Sequence, residues 1–232
     1  MRGKVGSAHF EMIIGFVFFV GFVLFLFIFL NPWSSSSLPN SALGELYDSF
    51  WDRVSVPLSS VFVKANNDGE CFLIDLPEEL FKFSISGQDS RVTKLGGVGL
   101  LSGLNNGELN VDPSGENFFR VAISPEFDDS ALLSCVVLND FELGGVVELE
   151  VVSYSGLVAM KDKYDNDYDG LKRELMLVDV FDFAIVPEGL PIVMEPVNGI
   201  PDGVDVLARD YVVKILNSDG DVSNERISFR IW

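Results

Sequence analysis

Three alternating aspartates form the pattern in the sequence that most suggests a metal site. Asp165, Asp167 and Asp169 are followed by Gly170, and this D-x-D-x-D-G spacing is typical of the start of a calcium-binding loop. The twelfth position of such a loop carries a bidentate glutamate, but here it is Met176. Because that ligand is missing, we predict a solvated acidic helix face and no metal, with calcium binding as the alternative.

The composition argues against the common hydrolytic active sites. The single histidine, His9, lies near the N-terminus, so the rest of the chain cannot form a Ser–His–Asp or Cys–His nucleophilic site or a zinc site that uses histidine. No spacing among the acidic residues singles out a carboxylate pair for glycoside hydrolysis. We therefore predict a protein that is not an enzyme and needs no cofactor.

The charge balance is strongly acidic. The 232 residues include 35 acidic and 16 basic side chains, which gives a formal charge of −19. Nucleic acids and anionic surfaces repel such a chain, so nucleic-acid binding is excluded as a function.

Two cysteines, Cys71 and Cys135, are the only ones in the chain. In an oxidising compartment they can form a disulfide that closes a long loop, which stabilises a fold by ~4 kcal/mol in the chain-entropy model. Two buried free thiols are an equally good interpretation of the sequence.

A long apolar segment dominates the N-terminal part of the chain. The nineteen residues from Met12 to Leu30 include seven phenylalanines and no charged side chain. As a helix they would extend roughly 28 Å, about the thickness of the bilayer hydrocarbon. We predict a single transmembrane helix, with Arg2 and Lys4 keeping the N-terminus cytoplasmic and the remainder of the chain outside the cell.

Glu11 stands at the edge of this apolar segment, where a carboxylate needs a partner. In the sequence, a basic leader ends at Gly6, four residues separate Gly6 from Glu11, and an apolar helix follows Glu11. This order resembles the class III signal peptide of archaeal type IV pilin-like proteins, and the resemblance covers about residues 1–32. It implies that a prepilin peptidase cuts between Gly6 and Ser7, with a cut after Gly3 as the alternative. It also implies that Glu11 pairs with the new α-amine of a neighbouring subunit.

The function that this resemblance implies is structural. We expect a subunit of a type IV pilus-like cell-surface assembly, in contact with membrane lipid, the prepilin peptidase and other pilin-like subunits, and extracellular as a filament after processing. The alternative is a membrane-anchored surface module that binds a glycan, an ion or a protein and does not polymerise.

The chain divides by pattern into a leader (1–6), the transmembrane helix (7–31), a Ser/Pro linker (32–40) and an acidic β-rich domain (41–232). Within that domain, Ser41 is predicted to cap a short helix that ends near residue 54. Alternating apolar residues predict the strands that follow, with turns at 66–69, 112–115 and 144–145. The predicted strands are 54–63, 71–76, 81–85, 118–123, 132–138, 146–152, 180–186, 206–216 and 222–232.

Two local patterns complete the expected fold. Strands 206–216 and 222–232 flank a polar turn and predict a hairpin, and 66–69 predicts another hairpin between strands 54–63 and 71–76. Apolar residues at helical spacing predict one amphipathic helix near 157–176. The predicted fold class is therefore α+β, mostly β, with a transmembrane helix followed by an antiparallel β-sandwich-like domain.

Overall fold

The chain is mostly β and carries helices at its N-terminus and across its larger sheet. The structure is a computed structural model that describes residues 5–30, 37–66, 69–128 and 134–232. For residues 5–11, 27–30 and 37–38 it describes the backbone only. The helices are α1 (Val5–Leu30), α2 (Ser37–Val54), α3 (Tyr154–Asn166) and α4 (Tyr168–Glu174). The strands are β1 (Ser55–Ala65), β2 (Phe72–Asp75), β3 (Asp89–Lys94), β4 (Gly99–Leu100), β5 (Ser102–Asn105), β6 (Glu108–Val111), β7 (Phe118–Ser124), β8 (Val136–Val137), β9 (Phe141–Ser153), β10 (Phe183–Pro187), β11 (Leu207–Leu216) and β12 (Val222–Ile231).

The chain forms two compact units. One ends at Ala42 and contains α1, and the other, called the β domain below, runs from Leu43 to Trp232.

The prediction of an N-terminal transmembrane helix is wrong. Helix α1 does form, from Val5 to Leu30. Among the described residues, no helix combines the length and the apolar character needed to cross a membrane.

Two sheets form the β domain. The larger has eight strands in the order β10-β12-β11-β9-β1-β7-β3-β4, and the smaller has four in the order β5-β6-β2-β8. Alternate residues of β1 and β7 point toward the smaller sheet, as strand geometry requires, and form the main core with it. That core includes Val61, Val63, Phe119, Val121, Ile74 and Leu109.

On the face of the large sheet that packs against the small sheet, helices cover the region that the small sheet does not. Leu43, Leu46 and Phe50 of α2 are fully buried, and the Phe50 ring meets Phe229 of β12 edge-on with the centroids 5.0 Å apart. Tyr164 of α3 contacts Phe183 of β10 in the same edge-on geometry.

The predicted single helix near 157–176 is two helices. Asp167 leaves the helical region of backbone space, with φ −145° and ψ 60°, and its side chain accepts a hydrogen bond from the backbone N–H of Gly170. Aspartate is a favoured N-cap because its carboxylate satisfies an otherwise unpaired helical N–H. The middle aspartate of the acidic pattern is therefore the N-cap of α4. Likewise, α2 begins at Ser37, before the predicted cap at Ser41.

Most of the predicted strands form, and one of the two predicted hairpins is confirmed. Strands β11 and β12 pair in register from Leu207↔Ile231 to Leu216↔Val222, which confirms the C-terminal hairpin. The hairpin across 66–69 is wrong, because β2 pairs with β6 and β8 in the smaller sheet while β1 pairs with β7 and β9. The predicted strand at 81–85 is not a strand in the structure.

The fold class thus differs from a sandwich with one helix. The sheets have eight and four strands, and two pairings are parallel. The described residues of the β domain contain three α-helical segments and a short 3-10 helix at Glu78–Leu80. Gly144 and Gly145 do not turn the chain but lie inside β9, where the register against β1 shifts. Such a bulge uses glycine because the backbones approach closely, and a Cβ on Gly144 would lie 3.3 Å from the Cβ of Phe62.

Candidate functional site

The described side chains of α1, residues 12–26, form a fully apolar surface that we call the α1 surface. None of them is buried, and Phe16, Phe18 and Phe19 are 67%, 75% and 64% exposed. At 100° per residue, the apolar side chains point to every side of the helix. A helix that is apolar all round needs cover from outside its own chain.

Part of the pattern that carries the pilin-like resemblance lies in the same helix, while Arg2, Gly3 and Lys4 lie outside the described residues. The backbone of α1 includes Gly6, Ser7 and Glu11, but their side chains lie outside the described ones. Cleavage between Gly6 and Ser7 and the pairing of Glu11 with a neighbouring amine therefore stay predictions.

The structure joins Cys71 and Cys135 by a disulfide. Their Cα atoms are 5.1 Å apart and 64 positions separate them in the sequence. Beside the bridge, the backbone N–H of Val136 donates to the carbonyl oxygen of Cys71 at 3.4 Å. The bridge thus fastens the short strand β8 to the edge of β2.

Two of the three aspartates at the α3–α4 junction form local contacts within the helices. Asp165 pairs with Lys161 one turn earlier in α3, and Asp167 caps α4 through the N–H of Gly170 at 3.1 Å. Asp169 lies exposed in the first turn of α4. In the part of the chain that the structure describes, no group of three or more acidic, histidine or cysteine side chains is placed to hold a metal ion.

A cavity of about 530 Å³ opens next to this junction. Tyr164, Tyr168 and Glu195 line it, together with Lys161, Asp165, Pro196 and Val197. The tyrosine hydroxyls are engaged inside the fold, since Tyr164 donates to the carbonyl oxygen of Phe183 at 3.1 Å and Tyr168 donates to the Asp182 carboxylate at 3.1 Å. Burial, together with the nearby Asp182 carboxylate, raises the pKa of both tyrosines. They are neutral hydrogen-bonding groups over the physiological pH range.

A second titratable group, Glu126, is buried at the start of α3. Its carboxylate accepts hydrogen bonds from the hydroxyl of Ser153, and from both the N–H and the hydroxyl of Ser155 at 2.8 Å. A negative charge at a helix N-terminus is favourable, because the first N–H groups of the helix point outward. With these donors around it, Glu126 positions α3 on the sheet.

Comparison with known proteins gives no family for the chain: no family model, no curated protein and no solved structure matches it. The function proposed below therefore depends on the geometry of these residues and on the N-terminal sequence pattern.

Sequence reasoning missed the tyrosine-lined cavity. Tyr164 and Tyr168 were recognised only as part of an apolar helical stripe, and Glu195 follows β10 in a loop with no pattern of its own. The one available signal was that two tyrosines, whose hydroxyls need partners, stood at core positions of a predicted helix.

Proposed function

We propose that this chain is a structural subunit of the pilin-like type, which polymerises by packing the α1 helices of many copies together. The observation that carries the proposal is the α1 surface, whose described side chains are apolar on all sides and none of which is buried. Packing several such helices side by side removes this surface from water, at about 25 cal/mol per Å² of apolar area.

The N-terminal pattern supports the same assembly. In the pilin-like interpretation, a prepilin peptidase removes the leader after Gly6, so that the mature chain begins at Ser7 and carries Glu11 at its fifth position. The α-amine of one subunit then faces the carboxylate of Glu11 in the next. In a bundle of apolar helices an unpaired charge is costly, so this pair favours one axial register over the others.

The acidic β domain fits an outward position in such a filament. The chain has a formal charge of −19, and high net charge keeps the outer surface hydrated and soluble. In this proposal the apolar α1 helices form the filament core and the β domains cover it. The partners are other copies or other pilin-like subunits.

The test uses the chain that begins at Ser7. Electron microscopy and sedimentation of the purified chain should show filaments, and Phe18→Asp should abolish them, because it places a carboxylate within the helix bundle. Val197→Asp is the matched control, since Val197 is fully exposed in the β domain. A processed wild-type chain that stays monomeric, or Phe18→Asp filaments that form normally, would overturn the proposal.

A second candidate is a binding module that does not polymerise, which the tyrosine-lined cavity favours. Its volume of about 530 Å³ lies in the range of small-molecule sites. A glycan that binds there should raise the melting temperature of the wild-type chain, and Lys161→Ala, which removes a hydrogen-bond donor from the rim of the cavity, should reduce that shift.

A further inference from the structure

A second cleft, of about 510 Å³, lies on the face of the large sheet opposite the smaller sheet. We call it the Arg120 cleft. Register places its residues on one side, because opposed residues of an antiparallel pair share a face. The pairs that meet there are Phe62↔Arg120, Ser60↔Val147 and Leu58↔Leu149.

The floor of the Arg120 cleft is apolar, and part of it is open to solvent. Phe62 and Val147 are 52% and 56% exposed although they lie on strands in the middle of the sheet. Leu149, which is half-buried, and Leu58, which is buried, also line the cleft. A contiguous apolar patch of this kind in the centre of a sheet is typical of an interaction site.

Two cations lie beside that apolar floor. Arg120 donates from Nε to the hydroxyl of Ser60 at 2.7 Å, and Lys214 of β11 lies across the cleft. Among the described residues, neither forms a salt bridge. One carboxylate, Asp221, lines the cleft, so the site is cationic in a chain whose formal charge is −19.

The same β domain displays the complementary surface in the segment 176–180, which we call the Val180 loop. Met176, Val178 and Val180 are 72%, 57% and 76% exposed, and Asp179 is exposed between the two valines. Lys172 holds the loop in place by donating to the backbone carbonyl of Asp179 at 3.0 Å. A fixed loop with apolar side chains and one carboxylate loses little conformational entropy on docking.

We propose that the Arg120 cleft of one copy binds the Val180 loop of a second copy. Apolar side chains meet the apolar floor, and the Asp179 carboxylate meets Arg120 and Lys214. The two surfaces are different patches of one chain, so the contact is heterologous and repeats without closing unless the rotation happens to form a ring. This contact is the interface between β domains in the filament proposed above. Its repetition along the filament rests on that proposed function.

Charge reversal in the full chain tests the contact. Lys214→Glu and Asp179→Lys should each raise the protein concentration needed for assembly at least about tenfold, because each places like charges together. Lys82→Glu is the matched control, since Lys82 is an exposed lysine outside the cleft that forms no salt bridge with the described residues. The double variant Lys214→Glu/Asp179→Lys should restore assembly, because it exchanges the two charges.

A photo-crosslinking amino acid in place of Val147 tests the contact directly, because it forms a covalent bond with whatever segment lies in the cleft. Mass spectrometry of the crosslinked dimer should map the partner peptide to the Val180 loop, and Lys214→Glu should reduce the yield. A crosslink to another segment or to a co-purified molecule, or a yield that Lys214→Glu leaves unchanged, would overturn the contact. Filaments that form without this crosslink would overturn the contact and leave the proposed packing of α1 helices intact. The crosslink in a sample without filaments would support the contact and contradict the packing of α1 helices.

Discussion

Helices α1 and α2 differ in whether their described apolar side chains are buried. Residues 43–54 of α2 place Leu43, Leu46 and Phe50 against the sheet with no exposed surface, and turn Glu45 and Asp48 to solvent. The described part of α1 has no polar face, and none of its side chains is buried. A helix that folds against its own chain needs one apolar side, whereas one that is apolar on all sides is suited to being surrounded by other molecules.

The largest effect expected from this comparison comes from truncating one phenylalanine in each helix. Phe50→Ala should lower the free energy of unfolding of the β domain by about 3–5 kcal/mol, because Phe50 is fully buried and its loss leaves a cavity. Phe18→Ala, at an exposed position, should change it by less than about 0.5 kcal/mol while weakening assembly. Urea unfolding measures the free energy of unfolding, and sedimentation measures assembly. A large loss of β-domain stability in Phe18→Ala would show that α1 packs on its own chain.

The local parts of this architecture were predictable from sequence. Strands β11 and β12 alternate apolar and polar residues around a short turn, so neighbouring residues alone determine the hairpin. The bulge at Gly144 and Gly145 was not predictable, because two glycines also suit a turn and only the approach of Phe62 from β1 distinguishes the cases. The partners of strand β2 were not predictable for a related reason, since β6 and β8 follow much later in the chain.

The candidate sites were less predictable than the strands. The α1 surface is visible in sequence, because its apolar residues are consecutive. The Arg120 cleft is not, since β7 supplies Arg120 and β11 supplies Lys214, and no spacing connects them. Only sheet order and register bring the two cations to one face.

A smaller effect is expected where a charge is buried inside the β domain. Glu126→Gln should lower the free energy of unfolding by about 2 kcal/mol, because hydrogen bonds to a buried carboxylate are stronger than those to a neutral amide. The amide also turns a donor toward the hydroxyls of Ser153 and Ser155. Glu79→Gln, at an exposed carboxylate, is the control and should be neutral. Equal urea midpoints for the two variants would show that the charge of Glu126 contributes nothing to holding α3.

The smallest effect, and the one that depends on pH, concerns Glu174, which connects three helices near the surface. Its carboxylate accepts from Lys163 of α3 at 2.6 Å and pairs with Arg53 of α2 at 2.8 Å. The hydrogen bond from Lys163, with the charge of Arg53, lowers the pKa of Glu174 from its usual 4.5. The folded state therefore binds the proton less tightly than the unfolded state, so this stabilisation is complete above pH 4.5 and is lost as the pH falls through the lowered pKa. Urea unfolding should show wild type slightly more stable than Glu174→Gln at pH 7, with the difference shrinking as the pH falls below 4.5. A gap that does not shrink on acidification would mean that packing of the Glu174 side chain, and not its charge, links the helices.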